Sequence, residues 1–255
     1  MELIRNIVNR WAPSDGALTV AVDAAQAKVS NAKGFSNDYA AVDGYVTVPF
    51  IDAKGLMPEL GAWNVIVSTE SSDSLYQIER VGGRYTDRQA IIEYGTDGND
   101  EFDRPKYTDS KFARAVLAAE EMIESCCGRS FCERKLEARL WPGKLTELPV
   151  VDVRAVECDA DVELVSYCQV TGIEQPTTAV ITYGAAIDAQ ISTAATKLAA
   201  SYLRPRAMAE NARGTAMDGV FVSYELATGA EGSWTGIPYV DSVIEQHRSR
   251  RVMIG

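Results

Sequence analysis

The spacing of the apolar residues changes near residue 100 of this 255-residue chain. Over residues 17–94, apolar and polar residues alternate in short runs that glycine, aspartate, serine and proline separate. Because successive side chains of a strand point to opposite faces, this alternation predicts a small sandwich or barrel of β-strands. The strand-like runs are residues 18–22, 44–48, 63–67, 75–78 and 90–94.

The residues after 106 show a helical period instead. One helix is predicted to begin at Asp109, whose carboxylate can cap it, and to end at Gly128. A second helix, rich in alanine, is predicted over about residues 187–203, and a third near Pro238. The apolar face of the first helix consists of Phe112, Val116, Ala119, Ile123 and Cys126. Strand-like runs lie at residues 135–140, 150–157, 162–167, 179–183 and 220–226.

These periods predict an α+β fold in four segments. Residues 1–13 are predicted to form an N-terminal amphipathic helix, and residues 14–98 an all-β, sandwich- or barrel-like domain. Residues 99–106 are polar and rich in turn formers, which indicates a linker. Residues 107–255 are predicted to form a small helical domain with interspersed strands and a C-terminal tail.

Acidic residues outnumber basic ones, 36 against 25, which gives a formal net charge of −11 at pH 7. A chain this acidic repels phosphate, so general nucleic-acid binding is not expected. No run approaches the roughly 18 consecutive apolar residues of a membrane span, and the first residues lack the features of a secretory signal. The five cysteines are an odd number and are predicted to be free thiols.

The sequence offers no recognisable set of catalytic residues. His247 is the single histidine and is predicted to be a solvated residue at a helix end, which removes the usual base of Ser-His-Asp sites. Cys126, Cys127 and Cys132 lack the spacing of a zinc site, and no phosphate-binding glycine loop occurs. We therefore expect that this protein is not an enzyme and that it has neither a cofactor nor a metal site.

Residues 97–103 alternate oxygen-bearing side chains as a calcium loop does. Phe102, however, stands where such a loop needs glycine for its sharp turn. A solvated linker is the expected structure of this stretch, and weak calcium binding is the alternative.

Four short motifs follow one another in the second half of the chain. They are GRSF at residues 128–131, LPVVDVRAV at 148–156, ITYG at 181–184 and WTGIPYVD at 234–241. In this order they resemble motifs of the head–tail connector (adaptor) proteins of tailed bacteriophages. The resemblance covers about residues 105–255, whereas residues 1–104 show no pattern of that family.

The resemblance implies a structural protein of the virion neck, assembled in the host cytoplasm. Such adaptors form a ring, usually of twelve subunits, that joins the portal protein to the tail or to a stopper or terminator protein. DNA passes through the ring without sequence-specific binding, and no membrane or cofactor is involved. An acidic body repeated around the channel would repel DNA and let it slide.

The chain ends in a basic and apolar tail that follows the last predicted helix. We interpret this tail as an arm that binds the portal or a neighbouring subunit. Because cations at a helix C-terminus are also favoured by the helix dipole, a solvated, frayed end is the alternative. The residues expected to contact the partner are Arg248, Arg250, Arg251, Val252, Met253 and Ile254.

A second function class is compatible with the β-rich half. A carbohydrate-binding or adhesin-type virion module would use exposed aromatic side chains as stacking surfaces. The candidates are Tyr39, Tyr45, Trp63 and Tyr76, for which a place in the core is the other interpretation.

Overall fold

The computed structural model describes residues 8–21, 26–31, 36–43, 45–48, 60–68, 73–95, 102, 104–204, 214–217, 220–223 and 234–249. The chain forms two units by its internal contacts, and each unit combines two separate stretches of sequence. The strand unit comprises Met1–Tyr85 and Arg129–Ile187, and the helix unit comprises Thr86–Gly128 and Asp188–Gly255. The mixed α and β structure, with a seven-stranded sheet in the first part and the α-helices after it, confirms the predicted fold class.

A seven-stranded sheet occupies the N-terminal stretch of the strand unit. Its strands are β1 (Val8–Trp11), β2 (Leu18–Ala21), β3 (Gln26–Asn31), β4 (Ser36–Val42), β5 (Tyr45–Val48), β6 (Gly61–Ser68) and β7 (Asp73–Arg80). Their order in the sheet is β1-β7-β6-β3-β4-β5-β2. All neighbours are antiparallel except β1 and β7. Its buried core consists of Trp11, Leu18, Val46, Val48, Trp63, Val65 and Ile78.

The prediction of a helix over residues 1–13 is wrong for the part that the structure describes. Val8–Trp11 is a strand that pairs in parallel with β7, and a single 3-10 turn follows it at Pro13–Asp15. A helix this short is marginal on its own, so pairing with a sheet edge decides the outcome. Trp11 is buried and donates its indole N–H to the Gly16 carbonyl at 2.8 Å, while the guanidinium of Arg80 lies 4.5 Å from the centre of the Trp11 ring. Burial lowers the pKa of Arg80 to about 10, which leaves it charged at neutral pH.

The second stretch of the strand unit contains two small antiparallel sheets. The strands are β8 (Arg134–Leu140), β9 (Thr146–Glu147), β10 (Val153–Glu157), β11 (Glu163–Ser166), β12 (Gln169–Thr171) and β13 (Thr177–Tyr183). They form sheets of order β10-β13-β8 and β11-β12-β9. The shared core consists of Leu140, Leu148, Val153, Val170, Ile173, Ala179, Ile181 and Tyr183.

Polar contacts join the two stretches of the strand unit. The guanidinium of Arg134 donates to both carboxylate oxygens of Glu79, each at 2.6 Å. The Gly82 N–H donates to the Glu133 carbonyl at 2.8 Å. Residues on both sides of the predicted linker at 99–106 therefore belong to one unit. The division of the chain into separate domains at that linker stays a prediction.

In its described residues, the helix unit contains four helices and a strand pair. They are α1 (Arg88–Gly95), α2 (Asp109–Cys127), α3 (Ala189–Leu203), β14 (Gly214–Met217), β15 (Val220–Ser223) and α4 (Pro238–His247). The alanine-rich α3 contacts α1, α2 and α4, which its small side chains permit. In the part of the chain that the structure describes, no helix has the length and apolar composition needed to cross a membrane.

Two details of the predicted helices and strands are corrected by the structure. Residues 90–94 were expected to be a strand but belong to α1. A short apolar run does not distinguish a strand from a helix. A helix forms here because Asp87 caps it by accepting the Ala90 N–H at 2.8 Å. On α2 the fully buried cysteine is Cys127, whereas Cys126 is partly exposed. The apolar face thus continues from Ile123 by four residues rather than three.

The Glu79–Arg134 pair predicts a large effect of a conservative substitution. Glu79→Gln should lower the free energy of unfolding by about 1–3 kcal/mol, because two guanidinium groups, those of Arg134 and Arg10, then lose their charged partner inside a poorly solvated site. Urea unfolding followed by circular dichroism measures the change.

The control is Glu133→Gln, which removes the charge from the exposed pair with Arg154. Exposed pairs contribute about 0–1 kcal/mol, so this control should be close to wild type. Equal effects of the two substitutions would contradict the role given to Glu79.

Candidate functional site

Three of the four motifs meet at one end of the β10-β13-β8 sheet. The guanidinium of Arg129 donates to both carboxylate oxygens of Asp152, with 2.7 Å between Nε and Oδ2. The Asp152 carbonyl accepts the Gly184 N–H at 3.1 Å, and the Ser130 carbonyl accepts the Ala185 N–H at 2.9 Å. Residues that are far apart in the sequence thus share one hydrogen-bonded group. We call residues 129–132, 152–153 and 183–185 the motif cluster.

The backbone of the motif cluster explains two of its residue types. Gly184 has a φ of +114°, and a Cβ added there would lie 2.0 Å from the Cys132 carbonyl oxygen. Only glycine permits this close approach. Asp152 has a φ of +57°, a conformation that aspartate tolerates better than most residues, and its ion pair with Arg129 holds it there.

Tyr85 completes the motif cluster from the other stretch of the strand unit. Its hydroxyl accepts the Phe131 N–H at 2.7 Å and lies 3.4 Å from the Ser130 hydroxyl. The rings of Tyr85 and Phe131 meet edge to face with centroids 5.9 Å apart. Sequence reasoning missed Tyr85, because it lies outside the motifs and only its aromatic character could have suggested a buried role.

The polar groups of the motif cluster stabilise the fold of the strand unit. These groups are used in hydrogen bonds to backbone atoms or in an ion pair. Over the described ranges, no group of three or more His, Cys, Asp or Glu side chains could hold a metal ion. The absence of a catalytic role stays a prediction.

The fourth motif begins α4 in the helix unit. The N–H and hydroxyl of Thr235 donate to Asp241 Oδ1 at 2.8 and 2.7 Å, and the Ile237 N–H donates to the Thr235 hydroxyl at 3.2 Å. Pro238 occupies the first turn, where its missing N–H costs nothing. This network confirms the helix start that the motif predicts.

The two residues that directly follow α4, Arg248 and Ser249, are held by contacts within the helix unit. The Ser249 N–H donates to the Cys127 carbonyl at 2.7 Å, at the end of α2. The exposed Arg248 guanidinium lies 5.5 Å from the centre of the Trp234 ring. Of the residues predicted to contact a partner, Arg248 is therefore placed by these contacts. The others, which are Arg250, Arg251, Val252, Met253 and Ile254, lie outside the described residues.

The prediction of a solvated His247 at a helix end is confirmed for its position, because His247 is the last residue of α4, but its side chain is partly buried rather than solvated. Its side chain is 20% exposed, with Nε2 2.8 Å from Asp188 Oδ2 and Nδ1 2.9 Å from the Val243 carbonyl oxygen. Asp188 also caps α3 by accepting the Ile191 N–H at 2.8 Å. Burial alone would raise the pKa of Asp188, but the hydrogen bonds from Ile191 and His247 outweigh it and hold that pKa below its usual range.

The remaining candidates divide between the core and the surface. Of the possible stacking aromatics, Trp63 is buried in the core, Tyr39 and Tyr76 pack against it, and Tyr45 is exposed. Within the possible calcium loop at residues 97–103, the structure describes only Phe102, which is buried with its ring edge to face with Tyr107. All five cysteines are free, and burial, with help from Asp241, raises the pKa of the Cys126 thiol.

No protein-family model matches this chain, and no curated protein matches it. Among solved structures, the chain is similar to one described as "Neck of empty GTA particle computed with C6 symmetry". The two are 19% identical over 66% of this chain and 91% of that chain, with a TM-score of 0.43. A similarity this distant does not define a function.

The geometry at Gly184 predicts that alanine will not be tolerated there. Gly184→Ala should lower the free energy of unfolding by about 2 kcal/mol or more, because the added methyl group meets the Cys132 carbonyl oxygen and forces the backbone to move. Gly128→Ala is the matched control, since Gly128 also has a positive φ, +65°, but lies in the left-handed helical region, and a Cβ there would meet only Ser249 Cβ at an ordinary 3.9 Å. The control should lose only about 1 kcal/mol. Equal losses in urea unfolding would contradict this account.

The lowered pKa of Asp188 predicts a pH-dependent contribution to stability. Because its folded-state pKa lies below the unfolded value, the ionised cap stabilises the fold above about pH 4. That contribution is lost as the pH falls through the folded-state pKa. Asp188→Asn keeps a capping oxygen but cannot ionise, so it should be less stable than wild type at pH 7 and should approach wild type near pH 3.

Urea unfolding of both proteins between pH 3 and pH 7 measures the difference. Asp188→Ala, which removes the cap as well, should cost about 1 kcal/mol at neutral pH. A constant difference between wild type and Asp188→Asn across this range would contradict the assignment.

Proposed function

We propose that this chain is a structural protein of the neck of a tailed-phage-like particle. In this proposal it is a ring-forming head-to-tail adaptor that joins the portal to the tail or to a stopper or terminator protein. The observation that carries the proposal is the meeting of three separate adaptor-like motifs in one hydrogen-bonded cluster. The solved chain to which this protein is distantly similar also comes from a particle neck, but the proposal rests on the residues of this chain.

The motif cluster supports the proposal because its residues depend on one another. Arg129 from the first motif holds Asp152 from the second, and Asp152 binds the backbone of Gly184 from the third. Motif matches that arise by chance are not expected to contact one another in the folded chain. The three motifs that carry the resemblance therefore form one hydrogen-bonded arrangement in this chain.

The charge of the chain suits a channel through which DNA moves. A ring of usually twelve subunits, each of net charge −11, would surround the duplex with negative potential. Repulsion without base-reading contacts would let DNA pass without sequence-specific binding. The role requires no catalysis and no cofactor, and it places the protein in the virion neck after assembly in the host cytoplasm.

The tail supplies the proposed contact with the portal or a neighbouring subunit. Arg248 and Ser249 are held against the helix unit, so the point at which the proposed arm begins is fixed. Arginines are suited to paired hydrogen bonds with carboxylates, and the apolar end can fill a groove. Weak contacts repeated around a ring add up to a stable attachment.

The alternative of a carbohydrate-binding or adhesin-type module is less well supported. Its strongest stacking candidate, Trp63, is buried among Val65, Ile78 and the rest of the core. Tyr45 is the candidate whose ring is mostly exposed. One exposed ring does not form a stacking surface of several aromatics.

Electron microscopy of the negatively stained full-length protein tests the proposed ring. Purified protein, alone or mixed with heads that contain the portal, should form rings or bind to the portal vertex. Compact monomers that never attach to heads would contradict the adaptor function.

Removal of residues 250–255 tests the proposed arm. Because Arg248 and Ser249 remain, the truncated protein should keep its wild-type circular dichroism and melting temperature but lose its attachment to portal-containing heads. Arg250→Gln with Arg251→Gln, and separately Val252, Met253 and Ile254→Ser, divide the charged from the apolar contribution. Wild-type attachment of the truncated protein would return the tail to the interpretation of a solvated end.

A further inference from the structure

A basic cleft lies between the start of α2 and the end of α3 in the helix unit. Its volume is about 570 Å³, and four cationic side chains line it, those of Lys106, Lys111, Arg114 and Arg204. This concentration of positive charge belongs to a chain whose net charge is −11. We call the cavity and these four residues the basic cleft.

Three of the four cations of the basic cleft make no ion pair with a carboxylate of the described residues. Lys111 Nζ donates to the Lys106 carbonyl at 2.7 Å, and Lys106 Nζ lies 4.8 Å from the centre of the Tyr107 ring. Among the described ion pairs, none involves Lys106, Lys111 or Arg114. Nearby on the same helix, by contrast, Asp109 pairs with Arg88 at 3.2 Å.

The position of Lys111 and Arg114 makes this arrangement costly for the free protein. Both lie in the first two turns of α2, where the helix dipole is positive and favours anions. The Thr108 side chain makes no capping hydrogen bond there. An anion bound in the cleft would offset both the repulsion between the cations and their opposition to the dipole.

One residue that lines the basic cleft carries a buried hydroxyl. Tyr107 lines the cleft, is 7% exposed, and has a hydroxyl that is buried without a hydrogen-bond partner in the described structure. Its ring is held between Phe102 and Phe112, with centroids 5.3 and 6.4 Å away. A buried donor without a partner is destabilising, so an incoming acceptor oxygen would relieve that cost.

We propose that the basic cleft binds carboxylate side chains from a second copy of this chain. The other walls of the cleft are apolar and come from Ala115, Ala118 and Leu203. Such walls accept the methylene groups of glutamate or aspartate, while the cations and the Tyr107 hydroxyl bind the carboxylate oxygens. The cleft exceeds the size of a single small anion and, as a concave pocket in an acidic protein, is poorly suited to duplex DNA.

The charge of the chain itself favours a second copy as the partner. Two bodies of net charge −11 repel each other unless a local positive surface meets an acidic one. A basic cleft on one copy and acidic residues on another form a head-to-tail contact, which closes into a ring when the rotation fits. The inference rests on the proposed ring and specifies one of its contacts.

Carbodiimide cross-linking of the full-length protein tests the contact directly. The reagent joins an amine to a carboxylate that already touches it, and a mixture of ¹⁵N-labelled and unlabelled protein distinguishes links between copies from links within one. Mass spectrometry should find links between copies from Lys106 or Lys111 to an aspartate or glutamate. Rings whose copies are never linked through these lysines would overturn the inference and leave the adaptor function standing.

Substitutions measure the contribution of the basic cleft to self-association. Lys111→Gln with Arg114→Gln should raise the dissociation constant between copies by about tenfold or more in analytical ultracentrifugation. The melting temperature should stay equal or rise, because two cations leave the start of a helix. The matched control is Arg139→Gln with Lys144→Gln, which changes the net charge equally at exposed positions of the strand unit.

Three results would contradict the proposal. The cleft variant and the control could weaken association equally, which would show a general charge effect. The cleft variant could associate as wild type does. A short DNA duplex could bind the wild type and not the cleft variant, which would assign the basic cleft to nucleic acid.

Discussion

The close approach of Gly184 to the Cys132 carbonyl is the constraint on which the second half of the strand unit depends. Gly184 directly follows β13, the central strand of the β10-β13-β8 sheet, so a side chain there would displace the strand that both neighbours pair with. Its N–H then binds Asp152, and the next N–H binds Ser130. Because most of these bonds are made by backbone atoms, few side-chain identities are needed: a glycine at 184, and an arginine and aspartate at 129 and 152 that fix the turn before β10.

The helix unit uses polar contacts at helix ends for a related purpose. Apolar faces bring α2, α3 and α4 together, but such faces tolerate sliding along the helix axes. Asp188 joins the start of α3 to His247 at the end of α4, and the Ser249 N–H joins the end of α4 to Cys127 at the end of α2. These directional bonds fix the axial positions of the helices. They also fix the point from which the tail leaves, which apolar packing alone would not do.

The sequence predicted elements whose signals were long or chemically specific. The helices α2, α3 and α4 carry sustained periods with a cap or a terminating glycine or proline, and each forms about where expected. Val8–Trp11 and residues 90–94 are short apolar runs, for which pairing with β7 or a cap from Asp87 decides between strand and helix.

The motif cluster was predictable in part. Its residue types follow from the motifs, whereas Tyr85 joins it from a stretch that shares no motif, and only the fold brings that hydroxyl to the Phe131 N–H.

The basic cleft was not predictable from the net charge of the chain. Net charge is a sum over all residues and does not reveal a local excess of the opposite sign. Lys106, Lys111 and Arg204 are separated in sequence, and it is the packing of α2 against α3 that gathers them. Long-range repulsion between acidic bodies is screened over about 10 Å at 0.1 M salt, whereas a partly desolvated contact is screened much less. The local field at the point of contact, rather than the total charge, therefore decides whether two such chains can associate.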